Sequence, residues 1–279
     1  MIQLPSAITP PQAILDQLNA FQSIVNAEET YELKRQKAKS LFKSKNTKTN
    51  PAFKEVRKHL TEMCNSTRRC VYCEDSVANQ VEHIYPKDFY PEKCFDWENY
   101  VYACGPCNGP KNNQFAIFNA ASGDLQRINP PHWPNDTPPP NGKPVLINPR
   151  IENPLDFAIL DLKDTFLFFP LPGINERDAL RAEYTFNEIL KMNEPDREML
   201  RQARENAFGN FKDAFYSFIR REEDGAPAEK LERIISRIKK ENHQTVWKEM
   251  QRWHSWGILK EVDDELNDYF IQKPAALAW

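Results

Sequence analysis

Two Cys-x-x-Cys pairs, Cys70/Cys73 and Cys104/Cys107, are the residues whose type and spacing carry chemistry most directly. Two intervening residues let one tight knuckle turn both thiolates toward a single ion, and two knuckles complete a tetrahedral shell. The pairs flank a 30-residue insert, residues 74–103. Its length is no obstacle, because loop-closure entropy rises only slowly with loop size. Four cysteines saturate a tetrahedral ion, so the zinc they predict is structural, with no coordination position left for catalysis. The competing reading, a pair of redox dithiols, lacks the βαβ context expected of thioredoxin-like motifs. Cys64 and Cys94 fall outside the pattern and read as ordinary small residues.

The insert and the segment after it hold a second set of reactive types. These are Glu82-His83 between Val81 and Ile84, Asn99 in Trp97-Glu98-Asn99-Tyr100, and Asn108 directly after Cys107. Hydrolysis of a phosphodiester needs water deprotonated, and an imidazole with an ordinary pKa near 6.5 suits that task at working pH. Charge builds on the phosphate and the departing oxygen, which a hard divalent cation stabilises. A carboxylate such as Glu82 and an amide carbonyl such as Asn108 are oxygen donors of the kind that suit Mg²⁺ or Mn²⁺. Lys111, one helical turn past Asn108, and Lys87 are candidate phosphate ligands. Each has a plainer reading: a surface Glu–His ion pair, a turn or cap asparagine, a solvated helix lysine. The position of Glu82-His83 midway between matching knuckles favours the catalytic reading.

The elements that must hold these residues can be read from periodicity. Ile14, Leu15, Leu18, Phe21, Ile24 and Val25 recur at helical spacing, predicting a helix from Gln12 to about Leu41. A polar break over 44–51 precedes a second helix over 52–64, with Phe53, Val56, Leu60 and Met63 on one face. Within the insert the pattern predicts a strand at Val81–Ile84 and a second over Trp97–Ala103, and after the second knuckle a helix from Lys111 to Phe118. Residues 129–149 carry eight prolines and read as a strap without regular structure. Val145–Ile147 and Phe166–Phe169 could be short strands, and the chain reads as helical over 178–218 and again over 227–256. The expected class is α+β, predominantly α-helical. Its parts are a lysine-rich helical region (1–65), a zinc-containing core (66–128), a proline-rich strap (129–150) and a mainly helical remainder (151–279).

Charge is split along the chain. The net charge is −3, yet residues 34–69 hold twelve Lys or Arg against Glu55 and Glu62, while 152–198 is rich in acids. The basic stretch suits a polyanion, although a solvated helix face explains it equally well. The start of the chain has no basic segment followed by an apolar run, and no stretch approaches the roughly 20 apolar residues of a membrane span. A cytoplasmic protein with no membrane contact is expected, and a reducing compartment agrees with cysteines used as metal ligands. Trp247, Trp253 and Trp256 read as helix packing or a partner interface. His59, His132, His243 and His254 read as unremarkable.

Together, Cys70-x-x-Cys73, Glu82-His83, Asn99 and Cys104-x-x-Cys107-Asn108 resemble the zinc-bearing branch of the HNH endonuclease family. The resemblance implies a ββα-metal module in which His83 is the general base. It further implies that Glu82 and Asn108 hold the catalytic metal and that Asn99 fixes the loop aiming the histidine. Two departures are visible: Glu82 stands where the family usually has Asp, and Asn108 where its name has the final His. The likeness narrows over residues 66–205 to the PtuB-type nuclease subunits of Septu and retron-associated antiphage systems. It is carried by Cys70-Val-Tyr-Cys-Glu74, Glu82-His-Ile-Tyr-Pro-Lys87, Trp97-Glu-Asn99, Cys107-Asn-Gly-Pro-Lys111, Leu146-Ile-Asn-Pro-Arg150 and the segment from Arg181 to Leu200. That family implies a PtuA-like ATPase partner and a nucleic-acid substrate, DNA before RNA. A zinc-stapled adaptor without catalysis is the alternative from another class.

Overall fold

The computed structural model describes residues 1–64, 67–129 and 133–279. The expected boundary at 65/66, and Pro130, Pro131 and His132, lie outside the described residues.

Three helices open the chain: α1 (Gln12–Asn26), α2 (Tyr31–Lys45) and α3 (Pro51–Met63). The single helix expected to Leu41 is broken because Thr30 caps α2, its side chain accepting from the Leu33 amide at 3.2 Å. Asn50 caps α3 in the same way, and Pro51 sits in the first turn, where its missing donor has no consequence. The apolar face expected on α3 is the buried one, with Phe53, Val56, Leu60 and Met63 at most 3% exposed.

The central region follows. Strand β1 (Gln80–His83) pairs antiparallel with β2 (Tyr100–Ala103), in a register that sets Glu82 opposite Val101 and His83 opposite Tyr100. Helix α4 (Gly105–Lys111) comes next and packs on β1. The helix expected over 111–118 is a correction. It lies six residues earlier, and β3 (Phe115–Asn119) occupies most of that span. Asn112 takes a positive φ of 36° and ends the helix, and the buried run Phe115–Phe118 is then free to pair on both edges. Its partners are β4 (Leu125–Ile128) and β5 (Gly142–Pro144), in the order β4-β3-β5. Thus the proline-rich strap contributes a strand where none was expected. Gly142 permits it, since a Cβ there would stand 2.4 Å from the Phe118 carbonyl oxygen. Val145–Ile147, expected as a strand, is buried and irregular just beyond β5.

The remaining pair is β6 (Ala158–Leu160) with β7 (Phe168–Pro170), so the run at 166–169 is a strand only at its end. Five helices complete the chain: α5 (Glu176–Glu183), α6 (Glu198–Glu223), α7 (Ala228–Lys240), α8 (Gln244–Ser255) and α9 (Asp264–Gln272). Both long helical spans expected here are interrupted. A π-helical turn over Tyr184–Ile189 and a left-handed Lys191 separate α5 from α6, and a left-handed His243 separates α7 from α8. Trp247 is fully buried among Phe211, Phe215 and Phe270, whereas Trp256 is 48% exposed. One contiguous apolar core runs from Leu18 on α1 to Phe270 on α9. The class is α+β and mostly helical, with three small sheets among the described residues. No described helix is long and apolar enough to cross a membrane.

Candidate active site and metal centre

Cys70 and Cys73 lie in the turn before β1, Cys104 caps α4, and Cys107 sits in its first turns. All four are buried, and their sulfurs lie within 4.8 Å of one another. The Cys73–Cys104 separation is 3.8 Å. That is far beyond a disulfide bond of about 2.05 Å. It matches the edge of a tetrahedron with zinc–sulfur bonds of about 2.3 Å, which is about 3.8 Å. The donor set therefore fits zinc. Cys73 is held well below the ordinary thiol range because Cys104, Cys107 and Cys70 donate to it. Four thiolates around a dication carry a net charge of about −2. Two arginines from the C-terminal half offset it. Arg197 donates to Cys107 Sγ at 3.3 Å and to the Pro106 carbonyl at 3.1 Å. Arg204 is buried with Nη1 on the Phe166 carbonyl and Nη2 without a hydrogen-bond partner. Nothing in local sequence could have announced a ligand neighbour ninety residues away.

The knuckles fix both ends of a strand–loop–strand–helix unit, and His83 closes its first strand. Its Nε2 faces the Cys94 carbonyl at 2.9 Å. A carbonyl can only accept, so Nε2 carries the proton and Nδ1 keeps its lone pair. The ring is packed edge-on against Phe42 and Tyr100, with centroids at 4.5 and 5.2 Å. Burial, then the charges of Lys87 and Lys111, lower the His83 pKa to about 3. The imidazole is accordingly neutral at pH 7, with the Nδ1 lone pair free, but it is a weaker base than the ordinary imidazole expected from the sequence, because burial and the two ammonium groups oppose its protonation. Cys94 thus acts through its backbone oxygen, which also receives the Tyr100 hydroxyl at 2.7 Å, and no residue-type pattern reveals a carbonyl. Asn99 is buried and ties the loop after His83: Oδ1 accepts from the Tyr85 amide at 2.7 Å, and Nδ2 donates to the Tyr85 and Lys93 carbonyls.

Glu82, His83 and Asn108 line one cavity of about 440 Å³. Asn108 Nδ2 donates to Gln80 Oε1 at 2.6 Å, while its Oδ1 is buried without a partner. An orphan amide oxygen and a carboxylate lining the same cavity are the donor types a hard divalent cation takes, so these residues fit Mg²⁺ or Mn²⁺ by chemistry. Lys111 is placed differently from expectation. It is wholly buried, and its ammonium binds Glu82 Oε1 and the His83 carbonyl, the latter at 2.7 Å. An ammonium left unpaired in the interior would be costly, which is why it seeks the carboxylate instead of solvent. It is therefore no free phosphate ligand but the post that joins the end of α4 to β1. Lys87 does reach the cavity, with Nζ 5.5 Å from the centre of the Phe42 ring.

The basic stretch over 34–69 suits a polyanion as a whole, and the sequence singles out none of its twelve cations for the site; two of them, Lys48 and Arg57, line this cavity. Arg57 also shapes the wall, donating to the Thr47 carbonyl at 3.0 Å and to Asn46 Oδ1, so that the loop between α2 and α3 stands over the site. The signal was present as charge without position.

Comparison with known proteins finds a likeness to Septu protein PtuB of Bacillus thuringiensis, 44% identical over 57 residues. The match covers 19% of this chain and 21% of that protein, so it spans about a fifth of the relative's length. No protein-family model matches the chain. No solved structure matches it either.

Proposed function

We propose that this protein is a metal-dependent endonuclease of the HNH type, hydrolysing phosphodiester bonds of nucleic acid, with DNA the first substrate to test and RNA the second. The observation that carries the reading is the single cavity in which a neutral histidine, a carboxylate and an orphan amide oxygen meet three cations, Lys48, Arg57 and Lys87. His83 accepts a proton from water through Nδ1, while the Cys94 carbonyl holds the opposite nitrogen in the donating tautomer. Glu82 and Asn108 would hold Mg²⁺ or Mn²⁺, which when bound supplies electrostatic stabilisation of the phosphate and the departing oxygen. Asn99 keeps the loop that fixes His83 in register, and Lys111 holds Glu82 from behind. The four cysteines keep the two ends of the unit together through zinc and take no part in the reaction.

The likeness to a Septu protein supports a role in antiphage defence, as the nuclease effector alongside a PtuA-like ATPase in the cytoplasm. A second reading draws on the Lys111–Glu82 pair: a carboxylate already neutralised from within suits a zinc-stapled adaptor that binds without cutting. Mn²⁺ binding to the zinc-loaded protein, followed by electron paramagnetic resonance, separates the two. The nuclease reading expects one bound Mn²⁺, lost in Glu82→Gln and weakened in Asn108→Ala with zinc content unchanged. Absence of Mn²⁺ binding in the wild type would favour the adaptor.

A further inference from the structure

A second cavity, of about 360 Å³, adjoins the first and shares Asn112 and Asn113 with it. Beyond those two residues it is lined by Gly109, Pro110, Gln114 and Lys191. Its rim is fixed: Asn113 Nδ2 donates to Asp88 Oδ2 at 2.6 Å, and the same carboxylate oxygen takes Lys39 Nζ at 3.0 Å. Above Gly109 a Cβ would meet nothing within 4 Å, so the backbone there is open to close approach. Among the described residues the single acid lining either cavity is Glu82, whose charge Lys111 offsets. Lys48 and Lys191, one in each cavity, make no ion pair among the described residues. In a chain of net charge −3, this is a local concentration of cations and amide donors.

Amides and lysines together are the groups that bind phosphate and sugar oxygens without reading base sequence. Two of the residues that line the second cavity hold strained backbone, φ being 36° at Asn112 and 51° at Lys191. Such strain persists where surrounding structure fixes it and is concentrated at binding sites. Glu194, three residues past Lys191, lines neither cavity.

Resting on the nuclease reading above, we propose that the nucleic-acid strand leaves the His83 cavity across Asn112 and Asn113 and that Lys191 grips a phosphate at the far end of this path. The strand is then held on both sides of the scissile bond. The loop between α2 and α3 supplies one side and the segment between α5 and α6 the other. Lys191 is a sequence-independent contact, so its loss weakens all sequences alike.

The test is fluorescence anisotropy of labelled single-stranded and duplex oligonucleotides bound to full-length His83→Ala protein in Mg²⁺, titrated with KCl. Asparagine tolerates the left-handed conformation, so Lys191→Asn removes the charge without straining the turn. It is expected to lower the slope of log affinity against log salt by about 0.7 for single strands or about 0.9 for duplex. Lys191→Arg should restore the slope, and Lys87→Ala reports separately on the first cavity. An unchanged slope in Lys191→Asn beside a reduced one in Lys87→Ala overturns the extended path and leaves the nuclease reading standing. No binding by the His83→Ala parent overturns both.

Discussion

At the scale of the residue, the site is governed by what burial does to a few polar groups. His83 is enclosed by Phe42 and Tyr100 and faces cations, so its protonated form is disfavoured in the folded state. Its pKa falls from an ordinary 6.5 to about 3, and the unfolded chain therefore binds the proton first as pH drops. The stability this group contributes is complete above pH 6.5 and is lost progressively as pH falls toward 3. Denaturant titrations between those limits should show a slope shallower by up to about 1.4 kcal/mol per pH unit in His83→Phe than in the wild type. Parallel slopes would mean that the ring is hydrated and ordinary. The types at 82, 83, 99 and 108 were legible in sequence because their chemistry is distinctive. Their partners were not, since the Cys94 carbonyl and the buried Lys111 ammonium act through position alone. Lys111 shows the limit most clearly: helical spacing placed it a turn beyond Asn108, but whether it faced solvent or Glu82 depended on where β1 lay.

At the scale of the element, the two knuckles convert a loop-rich insert into a fixed frame. The strands β1 and β2 were legible from their apolar flanks, whereas α4 and β3 were misjudged. Gly105 and Pro106 look like loop residues but occupy the first turn of α4, where proline is tolerated. The run Phe115–Phe118 carries no period that tells a short helix from a strand buried on both faces. The cysteine frame is also joined to the C-terminal half, through Arg197 at Cys107 and through the Thr245 amide at Glu74, at 3.2 Å. Outer partners of this kind tune metal affinity, and Arg197→Ala should weaken zinc retention about 10- to 100-fold. Competition with a chromogenic chelator measures this without reference to activity. Retention equal to the wild type would mean that the guanidinium only packs against the sulfur.

At the scale of the whole molecule, helices from both ends of the chain enclose the central unit. The N-terminal helices bring Lys48, Arg57 and Phe42 to the cavity, and the segment before α6 brings Lys191 to its extension. That assembly explains how a chain of net charge −3 can present a cationic cleft: Lys48, Arg57, Lys87 and Lys191, distant in sequence, line two adjoining cavities. The basic stretch was legible as composition. Its folding over the site was not, because it depends on the cap at Thr30 and on Arg57 fastening the loop at Asn46. The central claim is that this cleft cuts nucleic acid, and cleavage of plasmid DNA and of total RNA tests it most directly. The comparison is wild type against His83→Ala, in Mg²⁺ or Mn²⁺, with a PtuA-type ATPase present and absent. Loss of a general base should slow cutting by about 10²- to 10⁴-fold. Metal-dependent cutting that falls this far in His83→Ala, at unchanged zinc content, is the predicted result. Equal cutting by both proteins, or none by the wild type under every condition with zinc and fold intact, would contradict it.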